Sequence, residues 1–114
     1  MAGTSGDNLS AMPDSPTRLE ITVIDGGLAL SGEVDAHTAP RLSEGLSELL
    51  TGESDVVVDL AGVEFMDSSG LRVMVDADQR TKAAGTRLLL RNPATAVRRL
   101  FEISGLANHL NIDG

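Results

Sequence analysis

The chain has 114 residues, 41% of them hydrophobic, enough for one small domain with a buried core. It contains no cysteine, which excludes disulfides, thiol nucleophiles and thiolate metal sites. Nine Lys and Arg stand against 17 Asp and Glu, a formal net charge of −8, and such a field repels phosphate backbones and anionic lipid surfaces.

Aromatic residues make up 2% of the chain, with no Trp or Tyr, so there is no stacking platform for single-stranded nucleic acid. No apolar run reaches the length of a membrane span, and the N-terminus lacks a basic segment followed by a hydrophobic one. Neither a nucleic acid nor a membrane is expected as a partner, and a cytoplasmic location is. The two histidines, His37 and His109, are neither clustered nor helix-spaced, so no metal or other cofactor is expected.

Residues 1–16, MAGTSGDNLSAMPDSP, are small, polar or proline and read as a loose tail; residues 17–114 form the domain. RLEITVI alternates over a strand's length, Asp25-Gly26-Gly27 turns the chain, and LALSG alternates again, which predicts a β-hairpin. In DAHTAPRLSEGLSELLTG, the residues Ala39, Leu42, Leu46, Leu49 and Leu50 share a helical face. Thr38 or Asp35 is placed to cap its start, and Gly52 to end it.

DVVVDL, Asp55 to Leu60, is a β-branched run suited to a strand buried on both faces. A helix then follows a double serine, with Leu71, Met74, Val75 and Asp78 on one face, and runs to Gly85. TRLLLRN predicts another buried strand. Asn92-Pro93 offers a cap and first-turn proline for a helix whose inner face is Val97, Leu100 and Phe101. HLNI predicts a last short strand. The order β-β-α-β-α-β-α-β implies a single α/β domain with a mixed sheet packed with helices. Function in such sheets concentrates where strands end and helices begin, here GEVDAHTAP and FMDSSGL, which are expected to lie side by side.

Three chemistries meet these loops and fail. A serine hydrolase using Ser68 or Ser69 with His37 and Asp35 lacks the flanking glycines of a nucleophile elbow: Asp67 and Leu71 flank Ser69, Met66 and Gly70 flank Ser68. A phosphoaspartate receiver at Asp67 lacks the carboxylate cage for magnesium, and the only lysine, Lys82, lies inside a helix. A phosphate-binding loop would rest on Gly70 alone, without a loop lysine. What remains is a serine at a helix start, for which residue chemistry alone favours a plain cap.

GEVDAHTAPRL, DVVVDLAGVEFMDSSGL and AVRRLFEISGL, in this order and spacing, resemble the STAS domains of bacterial anti-sigma-factor antagonists. The resemblance spans nearly everything from Arg18 onward. It implies that Ser68, the first serine of Asp-Ser-Ser-Gly, is phosphorylated by an anti-sigma-factor serine kinase. The unphosphorylated form would bind that kinase and free the sigma factor, and a PP2C-type phosphatase would restore it. Asp35 matches the acidic residue of the neighbouring loop. The alternative within the same resemblance is a stand-alone STAS module, either a stress-signalling scaffold or a small subunit of a lipid-transport complex. The chain departs from the pattern in its N-terminal tail and in stopping at Gly114, where family members often continue into a final helix.

The protein is thus read as a monomeric binding module rather than an enzyme. Its partner surface is expected to comprise Asp35, Asp67, Ser69, Gly70, Arg72, Val73 and Asp76 around Ser68. Arg72, Val73, Asp76 and Arg80 point away from the core face of their helix, with Val73 on a nominally exposed stripe either an apolar anchor for a partner or a lone surface valine. Asp67, Glu64, Glu33 and Asp35 make the resting surface acidic and suited to a basic partner face.

Overall fold

The computed structural model describes residues 18–113; the expected tail over residues 1–16 lies outside them. Eight elements follow in the expected order: β1 (Leu19–Ile24), β2 (Gly27–Val34), α1 (Ala39–Leu49), β3 (Val56–Met66), α2 (Ser68–Ala84), β4 (Leu88–Arg91), α3 (Thr95–Ile103) and β5 (Asn111–Asp113). The strands form one mixed sheet in sequence order. β1 pairs antiparallel with β2 through a tight turn at Asp25-Gly26, and the remaining pairs are parallel. Gly26 has φ of 77°, a left-handed conformation that glycine adopts without a Cβ penalty.

The core lies on one face of the sheet. Leu28 and Leu30 of β2, Val56, Val58 and Leu60 of β3, and Leu88 and Leu90 of β4 form one apolar cluster with Leu42 and Leu46 of α1, Met74 and Ala77 of α2, and Val97 and Phe101 of α3. Val57, Asp59 and Leu89, the alternate residues, are only half-buried. The expectation that β3 is buried on both faces is therefore corrected: the three helices contribute to a single layer. Val57 and Leu89 are register partners across the open face, and cross-strand neighbours of this kind cover each other in part.

β3 is also longer than its β-branched run. Register shifts against β2 occur between Ala29 and Ser31 and between Gly32 and Glu33, each placing an extra β3 residue in the ladder. The inward residues of β3 therefore run Val56, Val58, Leu60 at a spacing of two, then Val63 and Met66 at a spacing of three. That break in alternation carries the strand up to the double serine.

Two helix ends differ from expectation. α1 ends at Leu49, with Leu50 as its C-cap donating to Leu46 and Ser47 carbonyls, ahead of Gly52. α3 starts at Thr95 with Ala94 as N-cap. Asn92 does not cap it, because Asn92 takes φ of 56° and donates its N–H to the Asp113 carbonyl at 2.7 Å, closing the sheet edge instead. Among the described residues no helix is long and apolar enough to cross a membrane.

Candidate functional site

The site forms where β2 and β3 end side by side. The Asp67 N–H donates to the Val34 carbonyl at 3.1 Å, so the two strands deliver their following loops to one place. Asp67 then takes an extended conformation and caps α2, its Oδ1 accepting from the Ser69 N–H at 2.8 Å. The expectation of a serine as the cap is corrected: Asp67, one residue before the double serine, takes that position. Aspartate both accepts that bond and puts a negative charge at the positive end of the helix. Ser68 is left as the first helical residue, exposed, and its side chain makes no hydrogen bond among the described residues.

Gly70 is buried, and a Cβ there would stand 2.6 Å from Val34 Cγ1 and 2.7 Å from Met66 Cγ. It therefore presents no surface to a partner. Its part is to let the first turn of α2 pack against the ends of β2 and β3, which fixes where Ser68 emerges.

The loop between β2 and α1 is organised by Asp35. Its Oδ1 accepts from the backbone N–H groups of His37 at 2.9 Å and Thr38 at 3.1 Å, and its Oδ2 pairs with Arg18 at 2.8 Å. Buried Thr38 accepts from the Asp35 N–H at 2.9 Å and donates to the Glu33 carbonyl at 3.0 Å. Thr38 is the N-cap residue of α1 without a side-chain cap bond; its hydroxyl is committed to the loop. His37 meets Asp35 through its backbone, and neither serine hydroxyl bonds to it, so no triad geometry forms here.

Partial burial acts to raise the Asp35 pKa. The Thr38 and His37 N–H groups, the Arg18 guanidinium and the Thr38 hydroxyl outweigh it and hold the carboxyl below its ordinary value. The folded state then binds fewer protons at this group than the unfolded chain. Asp35 contributes its full stabilisation above the ordinary carboxylate value of about 4, and loses it as pH falls through the depressed folded value. A carbon-13 carboxyl titration should place the Asp35 midpoint below that of a model aspartate, and Asp35→Asn should flatten the acid limb of the stability profile. An ordinary midpoint would contradict this network.

Between the loop and α2 runs a shallow groove of about 270 Å³, lined by Ala36, Ala39, Pro40, Ser43, Ser69, Arg72 and Val73. The two loops singled out in the sequence are thus neighbours. Val73 is half-buried and packs against the core cluster, so it is a wall of this groove rather than a lone surface valine. Arg72 and Asp76 are exposed, and Asp76 pairs with Arg80 at 3.7 Å. Two residues escaped the sequence reading. Arg18 restrains the Asp35 loop, a tertiary pairing with no local signal. Phe65 remains 48% exposed at the end of β3, two residues before the Asp67 cap; it pairs with Glu33 across a bulge, and alternation counted through the bulge would have found it.

The model of the family described as Mlab, STAS domain, matches residues 17–112. The anti-sigma-B factor antagonist of Listeria monocytogenes is 38% identical over 84 residues, covering 73% of this chain and 74% of the relative. Two solved structures share the fold. The anti-sigma factor antagonist SpoIIAA in its unphosphorylated form superposes with a TM-score of 0.66 at 22% identity, over 82% of this chain and 86% of the other. The Bacillus cell fate determinant SpoIIAA in its phosphorylated form gives 0.63 at 22% identity, over 84% and 90%. Fold and site together define a STAS domain. The chain belongs to the STAS-domain family of anti-sigma-factor antagonists, a family of regulators rather than enzymes.

Proposed function

We propose that this protein is a cytoplasmic anti-sigma-factor antagonist switched at Ser68. Its unphosphorylated form binds an anti-sigma-factor serine kinase and thereby frees a sigma factor. The kinase transfers the γ-phosphoryl group of ATP to Ser68 Oγ: the new O–P bond forms as the bond to ADP breaks, and the hydroxyl proton is lost. A PP2C-type phosphatase hydrolyses the ester with water, returning the serine hydroxyl and inorganic phosphate.

The observation that carries this reading is the division of labour in Asp-Ser-Ser. Asp67 caps the helix and Ser69 supplies the capped N–H, while Ser68 is exposed with a hydroxyl that bonds to none of the described residues. Among the described residues no native bond is broken when a kinase reaches it. A helix N-terminus accommodates the added negative charge, so modification acts on the partner surface and leaves the fold in place. The names of the relatives support the same reading: the Listeria protein is an antagonist of an anti-sigma factor, and SpoIIAA is known in both phosphorylated and unphosphorylated forms.

The test is to incubate the protein with ATP and each anti-sigma kinase of the source organism, then map the phosphate by mass spectrometry. A single phosphate on Ser68 is expected. Phosphate elsewhere, or none from a kinase active on another substrate, overturns the assignment.

A further inference from the structure

Arg72 lies four residues beyond Ser68 on α2, on the same exposed face, where Cβ atoms at that spacing are about 5–6 Å apart. Arg72 takes part in no ion pair or hydrogen bond among the described residues. The acid that could hold it from the other side, Asp76, is already paired with Arg80 at 3.7 Å, and Arg80 also donates to Ser47 of α1 at 3.1 Å. The acid on the Ser68 side, Asp67, directs Oδ1 to the Ser69 N–H. Among the described residues Arg72 is therefore a cation without an anion, one turn from a hydroxyl without a partner.

We propose that Arg72 is the clamp for a phosphate on Ser68. An anion placed N-terminal to a cation at this spacing is the more favourable order on a helix. A guanidinium, with its fixed fork of N–H donors, suits phosphate oxygens. The inference rests on Ser68 being the modified residue and adds a second consequence of modification. The phosphate does not only add negative charge; it also draws the guanidinium away from the rim of the groove between α1 and α2, where Arg72 sits beside Ser69 and Val73. A partner reading that rim loses a cation as it meets an anion.

The experiment installs phosphoserine at position 68 by genetic encoding, so that no kinase is involved, and follows its phosphorus-31 resonance through pH. Asp67 at the cap, Asp35 with Arg18 across the loop, Glu33 on β2, Glu64 on β3 and the Asp76–Arg80 pair along α2 act on the phosphate in every variant. The difference between the wild-type residue and Arg72→Gln therefore isolates Arg72. Loss of the clamp should raise the second phosphate pKa by about half a unit at low ionic strength, and the difference should shrink at about 1 M salt. Arg72→Lys should recover part of the shift. Identical titrations for Arg72 and Arg72→Gln would overturn the clamp. Failure of every kinase to modify Ser68 would instead sink the proposed function and leave this measurement intact.

Discussion

Replacing Ser68 by aspartate is expected to weaken binding to the anti-sigma kinase by about tenfold while leaving the folded state at least as stable as before. The acidic surface around Ser68 suits a partner face that is basic overall, and the switch requires one partner carboxylate opposite Ser68 itself. A negative charge placed about 5 Å from it costs about 1.5 kcal/mol at an effective dielectric near 40, suited to an exposed position. Ser68 is exposed and its hydroxyl bonds to none of the described residues, so the substitution removes no hydrogen bond among them. The added charge at the first helical position is favourable by about 0.3–1 kcal/mol. Ser68→Ala should bind as the wild type does and resist modification. Isothermal titration with the kinase, alongside urea denaturation, separates the two quantities. A Ser68→Asp protein that loses stability rather than affinity would show that the residue supports the fold.

A large loss of stability is expected at Gly70. A valine there must displace Val34, whose Cγ1 and Cβ would lie 2.6 and 3.1 Å from the new Cβ, and Met66, at 2.7 Å. Val34 is short, stiff and fully buried, so the strain passes to the backbone of β2 or pushes α2 outward. Overpacking of this kind costs about 3 kcal/mol for Gly70→Val. For Gly70→Ala the lower backbone entropy of alanine offsets part of the clash, leaving about 1 kcal/mol. Against a total of roughly 5–15 kcal/mol for a domain, the valine variant should show a clearly lower urea midpoint. An unchanged midpoint would mean that α2 does not seat on the strand ends as described.

The order of elements was legible because each follows a clear period. Leu42 and Leu46 on α1, Met74 on α2, and Val97 and Phe101 on α3 are inward in sequence and in structure. Asp78, read onto the inner face of α2 despite its charge, is buried there. Lys82 pairs with it at 2.9 Å and donates to the His109 carbonyl at 3.1 Å, keeping the carboxylate compensated at Oδ2.

What the sequence obscured lay where tertiary bonds override local rules. The bulged half of β3 shifts from a spacing of two to three, so the strand ended too early on paper. Serine and aspartate are both good caps, and only the hydrogen bond from Ser69 to Asp67 decides which one serves. Asn92-Pro93 has the composition of a helix start, but the Asn92 N–H is used by Asp113. At the site, Asp35 was found by its motif, yet its work is to hold the loop through Arg18, His37 and Thr38. Gly70 was placed on the partner surface and is buried.

Phosphate on Ser68 is expected to change the partner surface and not the fold. This is tested most directly by comparing the phosphoserine-68 protein with the unmodified one, by amide chemical-shift mapping and by titration with the kinase at one ionic strength. A phosphate adds about −1.5 to −2 charge, so the affinity should fall by about two orders of magnitude. Shift changes should be confined to the start of α2, the Asp35 loop and the groove between α1 and α2. Equal affinity of the two forms, or shift changes spread through the β3 and β4 core, would contradict the account.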